Sequence, residues 1–493
     1  MQTLKKQKKT KIPSPFRFPI VGRIASIIQY VEDSIHYSDQ LFKRYGHIVA
    51  IATGRGTNIS SPDPNCPATV IVYGSEIFRQ VAMQHHIYHK CPLTGSLYRL
   101  KDQSPRTETL KIAGVGLFGL NDEIHLQHRK LIMPAFHQQK INSYCEDIVT
   151  ITQSELEKLN PNQLCEVTKL TRNLTLRVVT KTLFGEDISN EKQSTGELLE
   201  DILVLLASPF TRLLPFDRVG FPFHQCLDLL IEYKEKMKEI IANKKYDKKN
   251  QSDLLSMLLQ TQEEKTGFEL TEDELIGHVG VIFGAGHDTT AQALNWILFL
   301  LSQHPQILSD LVDELNFILQ EKPPTITKLS QLSLLDRVIK EGMRVLPSVP
   351  WNWRVTSQET ELGGYELLAG TEVFVSLYHN HRQPDIYPAP QVFNPQRWEN
   401  FNPSPYEYSP FSTGPRVCIG AGLAIMEMKI ILATLLQSIR LEYIPGHKID
   451  RAGLITMKPK YGLPMIVRPQ DRNFNQGVGG VKGNVRDMVE LPQ

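Results

Sequence analysis

The most informative segment of this chain is Phe411-Ser412-Thr413-Gly414-Pro415-Arg416-Val417-Cys418-Ile419-Gly420. It is a turn with two glycines and one cysteine, and it leads into an apolar helical pattern from Ala421 to about Ile439. A thiolate just before a helix N-terminus is stabilised by the helix dipole. We therefore expect a lowered pKa for Cys418 and a sulfur that binds a metal ion. The simpler alternative is a buried free cysteine that packs as a small apolar side chain.

The spacing Phe-x-x-Gly-x-Arg-x-Cys-x-Gly resembles the signature of the cytochrome P450 superfamily. The resemblance implies haem b as cofactor, with the Cys418 thiolate as axial ligand of the iron. It also implies that the haem is contacted by Phe411, Gly414, Arg416 and Gly420. The expected fold is mainly α with a small β region, the cytochrome P450 fold, in which a long central helix passes over the haem.

That long helix is predicted between a capping box, Thr271 with Glu274, and His304-Pro305. It contains Gly284-Ala285-Gly286-His287-Asp288-Thr289-Thr290, where glycines and hydroxyl residues predict a local opening of the helix. An acid next to an alcohol can pass protons to bound oxygen. The segment resembles the oxygen-activation motif of the family, which makes Asp288 and Thr289 the expected catalytic pair. A kinked, buried helix without chemistry is the alternative.

The tetrad Gly286 to Thr289 also resembles that of the fatty-acid ω-hydroxylases of the family. Many of those carry a glutamate before this glycine, where it forms an ester to the haem. Here that position is Ala285, so the likeness gives limited support to long-chain substrates and argues against covalently attached haem.

Three further residues are expected to form a structural network under the haem loop. Glu341 and Arg344 lie one helical turn apart and face the same way. Arg397 lies in Phe393-Asn394-Pro395-Gln396-Arg397-Trp398, which resembles the family segment that closes a Glu–Arg–Arg network. We assign these three residues no chemistry.

The haem propionates are expected to meet His125 and Arg129, spaced as in the helix of the family that contacts them. Arg416 and Arg354 would complete this set, because guanidinium groups match carboxylates in geometry. For His125, an exposed surface histidine is an alternative.

Substrate-lining positions follow from correspondence with the family: Ala285, Val349, Ile455 and Thr456. They are apolar or small, as a lipophilic pocket requires, although core packing explains each of them equally well. The segment from Ser96 to Leu120 is expected to contact the substrate from another side. Arg and Lys residues between Leu100 and Lys111 could anchor a substrate carboxylate or simply be solvated.

Short strand patterns accompany the helices. Ile48–Thr53, Ala68–Tyr73 and Glu372–Leu377 are predicted to share one sheet. Ile455–Met457 and Pro464–Val467 are predicted to form a late hairpin. Residues 1–12 form a Lys-rich tail, residues 13–469 the catalytic domain, and residues 470–493 a Gly- and Asn-rich tail predicted to be disordered.

Charge is balanced, with 54 Lys and Arg against 53 Asp and Glu, which argues against nucleic acid as a partner. The six cysteines show no CxxC pairs, so neither a disulfide framework nor a zinc site is indicated. Near the N-terminus we find no apolar run of the roughly 18 residues that a membrane span needs. We expect a soluble, cytoplasmic protein of prokaryotic type without a transmembrane anchor, whose contact with a membrane is at most peripheral.

The resemblance implies a monooxygenase that activates O₂ with two externally supplied electrons and hydroxylates a lipophilic substrate. A long-chain fatty acid or other hydrocarbon is the favoured substrate, and a terpenoid the alternative. The expected electron donor is a separate ferredoxin with its reductase, docking where Arg129, Lys130 and Lys429 could lie. Two other functions stay open: a peroxide-using or rearranging relative, and a non-enzymatic haem sensor.

Overall fold

The computed structural model describes residues 11–15, 21–54, 59–61, 63–91, 104–114, 116–185, 195–208, 210–211, 214–246, 253–263, 269–453 and 455–493. Helices dominate, which agrees with the expected mainly α class. The helices are α1 Val21–Glu32, α2 Ser34–Tyr45, α3 Ser75–Met83, α4 Pro105–Glu108, α5 Leu110–Gly114, α6 Asp122–Ile132, α7 Gln138–Ser143, α8 Cys145–Leu156, α9 Val167–Phe184, α10 Thr195–Ala207, α11 Pro222–Tyr246, α12 Leu254–Glu263, α13 Glu272–Gln303, α14 Pro305–Leu319, α15 Ile326–Leu329, α16 Ser333–Val345, α17 Leu377–Asn380 and α18 Ala421–Ser438.

The strands are short and fall into four small sheets within the described residues. They are β1 Ile48–Thr53, β2 Ala68–Val72, β3 Tyr88–His89, β4 Leu164–Glu166, β5 Trp351–Thr356, β6 Thr360–Leu362, β7 Tyr365–Leu367, β8 Glu372–Ser376, β9 Ile439–Tyr443, β10 Arg451–Ala452, β11 Lys458–Pro459 and β12 Pro464–Pro469. The main sheet has the order β1-β2-β8-β5-β3. The three strands predicted to share a sheet therefore do so.

The predicted late hairpin is wrong in its pairing. β12 is a strand, as expected, but it pairs with β4 and β9. Ile455 and Thr456 lie instead between β10 and β11, which pair with each other. Sequence spacing favoured the nearest apolar partner, whereas the apolar side chains of β12 are buried against strands far away in the chain.

The long helix α13 confirms its predicted start and end. Thr271 accepts a hydrogen bond from the Glu274 N–H and Glu274 returns one to the Thr271 N–H, so the capping box is complete, and His304 ends the helix. Its 32 residues span about 48 Å. Neighbouring helices pack on nearly all sides of its second half, where Thr290 to Gln303 are buried without a break. α13 therefore holds the motif from Gly284 to Thr290 in a fixed position.

Residues 470–493 differ from the prediction of a disordered tail. Phe474, Val481, Val485, Met488 and Val489 are buried in the apolar cluster that also contains Trp296 of α13. The Ile449 N–H donates to the Lys482 carbonyl oxygen at 2.8 Å. Gly480, with φ of +65°, builds a turn that carries the segment back onto the core. The apolar residues outweigh the polar composition because together they cover an otherwise open core face.

Within the described residues, α18 is the helix long and apolar enough to cross a membrane by length and composition. It follows the cysteine loop, and from Met426 to Leu436 every residue is buried inside the protein. Core packing explains its apolar character.

Candidate active site

The cysteine loop holds Cys418 immediately before α18. Gly414 to Arg416 form one 3₁₀ turn, and the Cys418 N–H donates to the Phe411 carbonyl oxygen at 2.8 Å. Gly414 has φ of +69°, and a Cβ there would lie 3.2 Å from the Ala82 carbonyl oxygen, so glycine is required. None of the six cysteines forms a disulfide, and Cys418 alone among them is exposed.

The direction of the Cys418 pKa differs from the sequence-based expectation. The thiol opens onto accessible space but protein surrounds it, and this burial raises its pKa. A hydrogen bond from the Gly420 backbone and the positive charge of Arg129 act in the opposite direction without cancelling the effect. Loss of water thus outweighs the helix terminus. A bound cation would supply the missing charge and deprotonate the sulfur.

A second accessible surface lies on α13. Ala285 is exposed, and Asp288 and Thr289 are half-buried, in a helix whose C-terminal half is fully buried. The Thr289 hydroxyl donates to the Ala285 carbonyl oxygen at 2.7 Å, and the Gln292 amide donates to Asp288 Oδ1 at 3.1 Å. The predicted catalytic pair and Ala285 therefore share one face.

The expected local opening of α13 is absent, since the helix runs unbroken through the motif. Gly284 and Gly286 instead allow close packing of neighbouring helices. A Cβ at Gly284 would lie 2.7 Å from Leu203 Cδ1, and one at Gly286 would lie 3.2 Å from Val179 Cγ2. Small residues let α10 and α9 approach the motif closely.

Residues 116–121 connect the cysteine loop with α13. Arg416 donates to the carbonyl oxygens of Leu117 and Leu120, at 3.2 and 2.5 Å, and to Asn121 Oδ1 at 2.7 Å. Ile419 of the loop and Ile282 of α13 both pack against the same apolar cluster. This arrangement brings the cysteine loop and α13 into one unit.

A buried cluster of basic side chains, called the cationic cluster below for its arginines, flanks the loop. Burial, with the charge of Arg416 next, lowers the pKa of His125 to about 3 and that of Arg354 to about 9. The pKa of Arg416 falls to about 10, chiefly by burial, and burial also lowers that of Arg129. His125 Nδ1 and Arg416 Nε are buried without a hydrogen-bond partner. A bound dianion would satisfy these groups.

Lys90 belongs to this cluster and was missed by sequence reasoning. Its pKa is lowered well below the ordinary value by burial and by the charges of Arg354 and Arg416. Its Nζ lies 4.5 Å from the centre of the Trp353 ring and 4.7 Å from that of Phe118. No local pattern marks this lysine, because the pairing of β3 with β5 brings it to the site.

The three residues of the predicted structural network contact one another. Glu341 and Arg344 are fully buried and pair at 2.8 Å, and Arg397 Nε lies 3.3 Å from the Glu341 carboxylate. Trp398 Nε1 donates to the same carboxylate at 2.9 Å, a contact that the sequence did not suggest. Because the network is buried, removing one partner would leave an uncompensated charge. The energetic cost would therefore exceed that of the surface ion pair that the spacing alone would indicate.

The other positions predicted to line the substrate, Val349, Ile455 and Thr456, are half-buried. Of the segment 96–120, residues 96–103 and 115 lie outside the described residues. Arg106 pairs with Asp217 and Asp228 at 3.0 and 2.8 Å, and Lys111 pairs with Glu108 at 2.6 Å. These two cations are therefore already committed to carboxylates of the protein.

Comparison with known proteins identifies the family to which this chain belongs. The family model described as cytochrome P450 matches residues 12–465, and the chain belongs to this family. It is a haem-thiolate monooxygenase, whose cofactor is haem b with a cysteine thiolate as axial ligand. Such enzymes use O₂, an organic substrate and electrons from a redox partner.

Individual relatives are more distant. Cyclooctat-9-en-7-ol 5-monooxygenase from Streptomyces melanosporofaciens is 28% identical over 413 residues, which cover 80% of this chain and 84% of that protein. Cytochrome P450 4c21 from Blattella germanica is 28% identical over 474 residues, 87% of each chain. The solved structure of retinoic acid bound cyanobacterial CYP120A1 matches 94% of this chain and 100% of its own, with a TM-score of 0.78 and 22% identity.

The residues present fit this cofactor. Cys418 offers an exposed sulfur, and the neighbouring cationic cluster has buried donors without partners, as two propionate groups require. The fold and the site chemistry therefore agree with the family.

Proposed function

We propose that this cytochrome P450 hydroxylates a lipophilic substrate, a long-chain fatty acid or another hydrocarbon, with electrons from a separate donor. The observation that carries the proposal is the accessible face of α13. It presents a small apolar residue, Ala285, beside an acid and an alcohol, Asp288 and Thr289. A lipophilic pocket next to proton donors suits hydroxylation of an unactivated C–H bond.

In this proposal Cys418 would ligate the iron, and Phe411, Gly414 and Gly420 would shape the loop around its sulfur. The propionates would be held by Arg416, Arg129, Arg354, His125 and Lys90. When bound, the haem iron supplies the activation of O₂ and the transfer of one oxygen atom to the substrate. Asp288 and Thr289 hold and pass protons at their carboxyl and hydroxyl oxygens, while Glu341, Arg344 and Arg397 keep the loop in place.

Three of the four positions proposed to line the substrate region are apolar. Ala285, Val349 and Ile455 would line it together with Thr456, and Arg106 and Lys111 are paired with acids. Binding would therefore rest on apolar contact. A neutral terpenoid is the second candidate, favoured by the relative that is named a cyclooctat-9-en-7-ol 5-monooxygenase.

For the electron donor, we propose a ferredoxin that docks on the cysteine side near α6, with a cytoplasmic location for both. Lys130 is exposed and Arg129 half-buried. Lys429 does not belong to this surface, because it is buried and pairs with Asp336 at 2.9 Å. Of the three cations predicted for this surface, the two that remain both lie on α6.

The test is spectroscopic. A saturated long-chain fatty acid, its methyl ester and a neutral diterpene alcohol are titrated into the ferric haem protein, and the Soret band is followed. A saturable low-spin to high-spin shift with the acid and the ester supports apolar recognition of an acyl chain. A shift with the diterpene alone moves the assignment to terpenoids.

The matched controls are Cys418→Ser and Cys226→Ser. The reduced, CO-bound spectrum of a haem-thiolate should vanish in Cys418→Ser and persist in Cys226→Ser, whose cysteine is buried in the core. Product formed with peroxide but never with a ferredoxin and its reductase would contradict the monooxygenase proposal. Sound spectra with no product at all would favour the haem sensor.

A further inference from the structure

His287 lies inside the oxygen-activation motif but points away from the accessible face of α13. It is buried whereas Ala285 is exposed, as expected for residues about 200° apart around a helix. Its Nδ1 lies 3.2 Å from the Phe283 carbonyl oxygen, and its Nε2 lies 3.9 Å from Glu200 Oε1 of α10. Both ring nitrogens therefore face oxygen atoms, one at hydrogen-bond distance and the other close enough to interact with the charge of the Glu200 carboxylate.

Glu200 is held as an anion at this contact. Burial acts to raise its pKa, but the interactions with His287 and with Arg172 of α9 outweigh burial and lower it. Its side chain is only 14% exposed. If Glu200 became neutral, the buried His287 ring would lose the anion that faces it.

Close packing makes the position of Glu200 well defined. Its neighbour Leu199 lies against Gly280, with 3.7 Å between Leu199 Cδ2 and a Cβ built on the glycine. Leu203, one turn later in α10, lies against Gly284 in the same way at 2.7 Å. α10 thus rests directly on the turn of α13 before the catalytic pair, with Glu200 between the two contacts.

The same turn leads directly into the proposed proton donors, Asp288 and Thr289. The His287 ring, the Thr289 hydroxyl and the Thr290 hydroxyl each contact a carbonyl oxygen of the preceding turn, those of Phe283, Ala285 and Gly286. A shift of one of these side chains changes the hydrogen bonds of a backbone that also carries Asp288. Small displacements of reacting groups are enough to slow a positioned proton transfer.

We infer that Glu200 is a positioning residue, which acts through His287 to hold Asp288 and Thr289 in place for proton delivery. The inference rests on the proposed function. Without correctly placed donors, more of the O₂ consumed leaves as hydrogen peroxide, by O₂ + 2 e⁻ + 2 H⁺ → H₂O₂, with both electrons from the redox partner. Less of it then enters the substrate.

The test compares Glu200→Gln with Asp201→Asn in the haem-loaded protein. Both variants lose one negative charge on α10, but Asp201 is exposed. With a saturated long-chain fatty acid present, we expect the peroxide released per electron pair to rise several-fold in Glu200→Gln and not in Asp201→Asn. His287→Gln should give a similar rise, and the double variant Glu200→Gln/His287→Gln no further rise, because the two residues act as one unit.

A second readout needs no turnover. In reduced, CO-bound protein labelled with ¹⁵N-histidine, the resonances absent from His287→Gln belong to His287. They should keep their wild-type chemical shifts in Asp201→Asn and move in Glu200→Gln, which removes the charge that faces the ring.

Unchanged ¹⁵N resonances in Glu200→Gln would overturn the inference, as would additive peroxide effects in the double variant. If the wild type forms no hydroxylated product from any substrate, the proposed function fails. The ¹⁵N measurement then still decides whether Glu200 sets the state of His287.

Discussion

At the scale of single residues, Glu341 shows how burial changes the meaning of a sequence motif. A Glu-x-x-Arg pair on a helix surface contributes under about 1 kcal/mol. Here the carboxylate is fully buried and accepts hydrogen bonds from Arg344, Arg397, Trp398 and the Asn394 backbone. Neutralising this one carboxylate would remove the charged partner of all four donors.

We therefore predict that Glu341→Gln lowers the free energy of unfolding by about 3–5 kcal/mol, because it leaves buried guanidinium groups without a counter-charge. The control is Glu399→Gln, which breaks an ion pair with Arg337 at a side chain that is 51% exposed and should cost under about 1 kcal/mol. Urea denaturation of the haem-loaded proteins measures both. Equal midpoints for the two variants would contradict the prediction.

At the scale of elements, contacts between distant segments dominate. α6 and α13 are joined by a buried imidazole pair, in which His128 Nδ1 and His278 Nε2 are 2.8 Å apart. The segment after β12 covers the core by inserting Val485, Met488 and Val489, each almost fully buried. Neither contact follows from the periodicity of the segment that makes it.

For the C-terminal segment we predict that Met488→Ala lowers stability by about 2–5 kcal/mol, the range for removing a buried long apolar side chain. Glu490→Ala, which changes an exposed side chain of the same segment, should be within about 0.5 kcal/mol of wild type. Thermal unfolding of both variants measures these changes in stability. A Met488→Ala variant as stable as Glu490→Ala would mean that this segment is not part of the core.

At the scale of the whole molecule, buried histidines make the fold sensitive to acid. Burial lowers the pKa of His278, His379 and His381 to about 3. Charges of neighbouring side chains act in the same direction: His128 and His125 on His278, Arg382 and Lys43 on His379, and Arg344 and Arg382 on His381. Each ring is therefore neutral in the folded protein under conditions where an unfolded chain would bind a proton.

The sign follows from proton linkage. Above the unfolded pKa of about 6.5, neither state binds the proton, and the stability is fully present. As the pH falls from about 6.5 towards 3, the unfolded state binds more protons, so each ring lowers the unfolding free energy by about 1.4 kcal/mol per pH unit. We predict that urea midpoints fall steadily between pH 6.5 and 4.5, and that His278→Gln shows a shallower fall. The exposed His36→Gln should keep the wild-type slope.

Several features of this protein can be predicted from local spacing of residues alone. These are the cysteine loop with α18, the capping box and length of α13, the Glu341–Arg344 pair and three strands of the main sheet. Each is set by residues a few positions apart, or by a motif whose members fold together. The haem-thiolate family follows from the same residues.

Contacts between residues far apart in the chain could not be predicted in this way, because they depend on how the chain folds. The tertiary structure brought Lys90 to the cationic cluster, placed Glu200 against His287, raised rather than lowered the pKa of Cys418, and folded residues 470–493 onto the core. Burial and pairing across the fold set these outcomes. Desolvation and long-range packing depend on what surrounds a group in space, which local sequence patterns do not specify.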